Sequence, residues 1–93
     1  MIRIENVEQG KYYKSLITDE FVRVDSFNSP DDPIGVHFHH FENYVFISSE
    51  IPLHMFFEME AFKEITEKEF YTALDLAREQ FMKDFKAIRG GVL

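Results

Sequence analysis

The stretch I-T-E-K-E-F at residues 65–70 fixes how the chain must end. Thr66 is a helix N-cap, Glu69 three residues later completes a capping box, and Ile65 and Phe70 flank it as a hydrophobic staple. Phe70, Leu74, Ala77, Phe81, Phe85 and Ile88 then recur at spacings of three and four, which is one face of a helix. Glu67 and Glu69 suit the positive end of its dipole, and Lys83, Lys86 and Arg89 suit the negative end. Gly90 and Gly91 stop it. The pattern predicts a helix over about 67–88, roughly 33 Å long at 1.5 Å per residue. Tyr71, Ala73 and Met82 widen the apolar stripe, so it can cover a sheet and still leave surface for a partner.

The residues before this helix read as strands. K-Y-Y-K-S-L-I (11–17) and E-F-V-R-V-D-S-F (20–27) flank a turn at Thr18-Asp19. Alternation puts Phe21, Arg23, Asp25 and Phe27 on one face of the second strand, and Val22, Val24 and Ser26 on the other. N-S-P-D-D-P (28–33) reads as a loop. I-G-V-H-F-H-H-F (34–41) and Y-V-F-I-S-S (44–49) read as a hairpin turning at Glu42-Asn43. Pro52 breaks the pattern, and L-H-M-F-F-E-M-E-A-F (53–62) reads as the last strand. I-R-I (2–4) is a candidate short edge strand. Strands first and helix last argue for an α+β fold. The expected form is a bent antiparallel sheet or small barrel of about five strands followed by one C-terminal helix. The alternative is an open antiparallel sheet with the helix across one face.

A chain of 93 residues is read as one domain, 1–93, and at 45% apolar residues it can fill a core. It has no Cys, which rules out disulfides and thiolate zinc sites. Neither a secretory leader nor a run of about 18 apolar residues is present, so a cytoplasmic protein without a membrane span is expected. The net charge is −7, and residues 1–65 hold twelve acids against five bases while residues 66–93 hold five of each. That field repels nucleic acid and anionic lipid and attracts a basic surface. Direct nucleic-acid and membrane binding are therefore not expected.

Residues 36–41, V-H-F-H-H-F, gather three of the four histidines. On a strand His37 and His39 share a face, and His40 lies opposite. An H-x-H pair can share a metal ion but needs a third ligand, for which His54, Asp31, Asp32 and Glu42 are candidates. A hairpin turning at 42–43 sets His39 opposite Phe46, His37 opposite Ser48 and His40 opposite Val45, which favours packing over coordination. Ordinary strand histidines are the preferred reading, and a metal site on His37 and His39 is the alternative. A third reading is a pH-responsive surface whose acidic neighbours raise a histidine pKa.

Glu58 and Glu60 would share a strand face and could serve as an acid–base pair. With Glu50 and Glu64 near in sequence, a solvated acidic face is the preferred reading. The serines and glycines form no nucleophile elbow and no phosphate loop, so catalytic residues and cofactors are not expected. Tyr12, Tyr13 and Lys14 could stack on a base, yet one lysine pair amid so much acid is a poor nucleic-acid site. Eleven Phe and four Tyr exceed what one small core needs. Some rings should be exposed or buried in an oligomer, either as interface material or as scattered surface rings around a well-filled core.

Gly10-Lys11-Tyr12-Tyr13-Lys14 resembles the G-K-Y-Y-K strand that opens many short proteins of phages and mobile elements. Glu64-Ile65-Thr66, Glu69-Phe70 and Ala73-Leu74 resemble the E-I-T-x-x-E-F-x-x-A-L helix that closes them. Some such proteins inhibit host defences, in the anti-CRISPR or anti-restriction manner, by occupying nucleic-acid-binding surfaces. The resemblance implies that context and transfers no functional residue. The expected function is thus a non-enzymatic, acidic protein-binding module that meets a basic surface. Glu50, Glu58, Glu60, Asp31 and Asp32 would stand where phosphates bind, with an exposed ring such as Phe56 as apolar anchor. A metal-binding protein or metal-dependent enzyme using His37 and His39 is one alternative, and a structural homo-oligomer is another.

Overall fold

Alternating apolar residues give five strands: β1 (Tyr12–Ser15), β2 (Glu20–Ser29), β3 (Asp32–His40), β4 (Val45–Pro52) and β5 (Phe62–Ile65). The computed structural model describes residues 2–41 and 45–90. All strand pairs are antiparallel, in the order β4-β3-β2-β1-β5. Helix α1 (His54–Met59) carries the chain from the β4 edge to the β5 edge, and α2 (Glu67–Ile88) follows. This is the expected α+β fold in its open form, since β4 and β5 remain two separate edges and no barrel closes.

The sheet is covered on both faces. Val22, Val24, Tyr13 and Phe62 point to one face and bury with Leu53 and with Phe57 of α1. Phe21, Phe38 and Ile65 point to the other and bury with Phe70 and Ala77 of α2. Aromatic rings lock the second layer, with Phe21 stacked on Phe38 at 4.8 Å and Phe38 edge-on to Phe70 at 5.3 Å.

Helix α2 spans the residues that its sequence predicts. The Thr66 hydroxyl accepts from the Glu69 backbone N–H at 3.1 Å, and the Glu69 carboxylate accepts from the Thr66 N–H at 3.1 Å. Gly90 takes a φ of +71° just past its end, the left-handed position that favours glycine. Gly91 and the Glu42-Asn43 turn lie outside the described residues. The hairpin register nevertheless holds, with His37 opposite Ser48, His39 opposite Phe46 and His40 opposite Val45.

Four expectations change. The loop at 28–33 is instead a tight turn at Pro30-Asp31, because Ser29 pairs with Asp32 and Phe27 with Pro33. Asp25 is an extra residue in β2 opposite the Gly35–Ile34 step, a bulge that reverses the facing of the residues beyond it. Phe27 therefore packs with Val22 and Val24 rather than with Phe21. The predicted strand at 53–62 is helical over His54–Met59. Leu53 and Phe57 bury together there while Met55 turns outward, an arrangement that a strand, with 53, 55 and 57 on one side, forbids. The edge strand at 2–4 gives way to a 3-10 turn at Ile4–Asn6, and the Ile2 N–H donates to the Phe62 carbonyl at 2.9 Å.

Candidate functional site

Two groups of polar side chains assemble on the α1 side of the sheet. The first begins with β2. Glu20 continues the inward face of Val22 and Val24, so alternation carries a carboxylate into a buried position. Ser15 Oγ accepts from the Ile17 and Thr18 N–H groups and shapes the β1–β2 turn. That turn sets the Thr18 hydroxyl to donate to Glu20 Oε2 at 2.8 Å. On the neighbouring strand His37 donates from Nε2 to Glu20 Oε1 at 3.0 Å, and His39 Nδ1 lies 3.9 Å from the same oxygen. The Phe56 ring of α1 stacks on His37, with centroids 4.0 Å apart and planes 10° from parallel.

Glu60, the C-cap residue of α1, neighbours Glu20. That contact first, and then burial, push the Glu60 carboxyl up to about 7. Burial alone would raise Glu20, but the hydrogen bonds from Glu60, Thr18 and His37 and the charge of His39 outweigh it and hold it at about 2. The two carboxyl groups influence one another, and Glu60 keeps its proton to a higher pH than Glu20. Burial pushes His39 below the ordinary histidine value, with Glu20 opposing. At His39 the acidic neighbours Glu20 and Asp19 do act upward as expected, but burial outweighs them.

The second group lies at the other end of α1. Asp31 and Asp32, from the β2–β3 turn, and Glu58, from α1, line a depression of about 320 Å³ with Ile4, Pro52 and His54. His54 Nδ1 stands 3.6 Å from Asp32 Oδ1. Glu58 and Ile4 also line a second depression of about 350 Å³, beside Glu5, Met59 and Glu60. The two share Ile4 and Glu58 and together make an acidic strip that also holds Arg3.

The sequence-predicted residues are thus redistributed. Asp31, Asp32 and Glu58 come together. Glu58 and Glu60 do not share a strand face, because Glu58 belongs to α1 and Glu60 is its C-cap. Glu50 is exposed on β4 at a φ of +56°, where Ser49 and Glu50 bulge opposite Val36. Phe56 is no free anchor, because its ring covers His37. Met55 and Met59 are the exposed apolar residues of α1. His37 and His39 share a face as predicted, but His54 sits with Asp32 in the other group. Among the described residues no group of three or more His, Asp or Glu is arranged to hold a metal ion. Glu20 and Thr18 are the site residues that sequence reasoning missed. The signal was present, since Glu20 extends the Val22/Val24 face by two residues.

No protein-family model, curated protein or solved structure matches the chain. The functional reading rests on its own residues. No helix among the described residues is long and apolar enough to cross a membrane.

Proposed function

We propose that the chain is a non-enzymatic protein-binding module whose α1 side meets a basic surface. The observation that carries this reading is the convergence of Asp31, Asp32 and Glu58, from two separate elements, on one depression. Ser29 Oγ donates to Asp31 and Asn28 Nδ2 to Asp32, which orients two of the three carboxylates. The exposed Met55 and Met59 supply adaptable apolar contact beside them. In the narrower form that the phage-like resemblance suggests, the partner is a host nucleic-acid enzyme and these carboxylates occupy phosphate positions. Immobilised wild-type protein is then expected to capture a basic protein at low salt and release it at high salt. The Asp31→Lys/Glu58→Lys variant should capture much less of it at low salt. Equal capture by the variant removes this face from the reading. Duplex DNA should displace the partner if the narrower form holds.

A second reading, assembly with another copy, is favoured by one observation. The second half of α2 runs past the sheet, leaving Phe81, Phe85 and Ile88 at 51%, 38% and 84% exposure. A mass in solution that rises with concentration supports it. A monomer at high concentration counts against it.

A further inference from the structure

The apolar stripe of α2 is longer than the sheet beneath it. Phe70 and Ala77 bury with Phe21 and Phe38, and Val45 of β4 packs on that group. Helix α2 starts just after β5, at one edge of the sheet, touches β1 and reaches β4, the opposite edge. Phe81, Phe85 and Ile88 continue the spacing of Phe70 and Ala77, yet they stay exposed. What they lack is more sheet to cover.

The β4 edge can supply it. Among the described residues no strand lies along the outer side of β4, and an open edge is a template for another strand. The β5 edge is better guarded: it is four residues long, exposes Lys63 and Glu64, and its Phe62 carbonyl already accepts from Ile2. In β4 the bulge at Ser49 and Glu50, and Pro52 with no N–H, spoil the second half for pairing. Residues 45–48 carry no such guard and no charge. Phe46 and Ile47 there are 58% and 51% exposed. Ile47 lies opposite Phe38, so it belongs to the face that α2 covers. We propose that residues 45–48 pair antiparallel with the same residues of a second copy, joining two sheets into one, and that the end of each α2 covers the partner's β4.

This rests on assembly with another copy and names the surface that performs it. A two-fold axis through the middle of 45–48 fills both gaps at once, because each copy offers the same edge and the same overhang. Both helices then lie on one face of the joined sheet, and Phe81, Phe85 and Ile88 of each meet Ile47 of the other. Phe46, opposite His39, meets its counterpart on the other face. The exposed parts of these five side chains come to roughly 500 Å² per copy, at about 200 Å² for a whole aromatic side chain. That matches the apolar share of an interface of about 800 Å² a side, the size of a stable complex. Charge favours a second copy as well. Residues 81–90 hold three bases and one acid, whereas the acid excess lies in residues 1–65, which supply the partner's sheet.

Sedimentation of the full chain, with amide hydrogen exchange read by NMR at the same concentrations, tests it. From about 20 μM to about 1 mM the mass should move from one copy towards two. Over that range the amides within 45–48 that β3 leaves unpaired, and those of the second half of α2, should gain about tenfold in protection. Ile47→Lys sets a charge in the joint at a position already half exposed, so it should leave the urea midpoint in dilute solution unchanged and weaken association by about tenfold or more. A dimer whose β4 amides gain nothing overturns the joined sheet and leaves assembly through α2 alone standing, a reading that needs no variant. A dimer that Ile47→Lys leaves as tight as wild type does the same. A chain that stays one copy at about 1 mM overturns both and leaves the β4 edge to a strand of another protein.

Discussion

Gly35 shows how one residue can decide a strand pairing. It sits opposite Val24, and a Cβ there would run into the Arg23 carbonyl oxygen. Backbone cannot give way as a flexible side chain can, so Gly35→Ala should lower the stability measured by urea unfolding by at least about 1–3 kcal/mol. Thr66→Ala should lower it by about 1 kcal/mol, because the Glu69 N–H loses its acceptor. The carboxyl pair gives a pH signature whose sign is fixed. Glu60 is raised in the fold by its bond to Glu20 and by burial, so its contribution is complete below an unfolded value of about 4.3 and is lost as pH rises to about 7. Glu20 is held down, so its contribution is present above that unfolded value and is lost as pH falls towards about 2. His39, lowered by burial, instead favours the fold as pH rises towards about 6.5. The difference between wild type and Glu60→Gln isolates Glu60. The wild-type urea midpoint should drop relative to the variant between pH about 5 and 7.5, and a constant difference would contradict the assignment.

Among the elements, α2 was the most legible and α1 the least. The α2 limits follow from a capping box, a 3.6-residue period and a terminal glycine, all local signals. The α1 segment has no cap and only six residues, so its form is set by the burial of Leu53 and Phe57 under the sheet, which lies outside any local window. The misplacement of Phe27 has a similar cause, since the Asp25 bulge is specified by pairing with β3. The histidine register was legible because hairpin alternation alone sets it. The buried setting of Glu20 beside Thr18 and His37 was not, because it depends on the β1–β2 turn and on the pairing with β3. The stripe of α2 divides along its length. Phe70→Ala should cost about 3–5 kcal/mol, since Phe70 is fully buried. Phe81→Ala should cost about 0.5 kcal/mol or less in dilute solution, since half of that side chain is exposed. Equal costs would mean that the end of α2 is covered in the monomer.

At the scale of the whole molecule, charge and shape divide the surface. The excess of acid lies in residues 1–65, and the α1 side gathers part of it into one strip. The overhanging end of α2 is apolar and contributes to a longest dimension of 47 Å against 24 and 23 Å for the others. An encounter driven by the strip should weaken as salt screens it, from about 0.05 to 0.5 M, whereas contact through the overhang should strengthen or stay level. The measurement that separates these is the footprint of the bound partner, read as protection from hydrogen exchange in the purified complex. Protection is expected at residues 29–32 and across α1, lost with Asp31→Lys/Glu58→Lys. Protection confined to the second half of α2, with the α1 side unchanged, would contradict it.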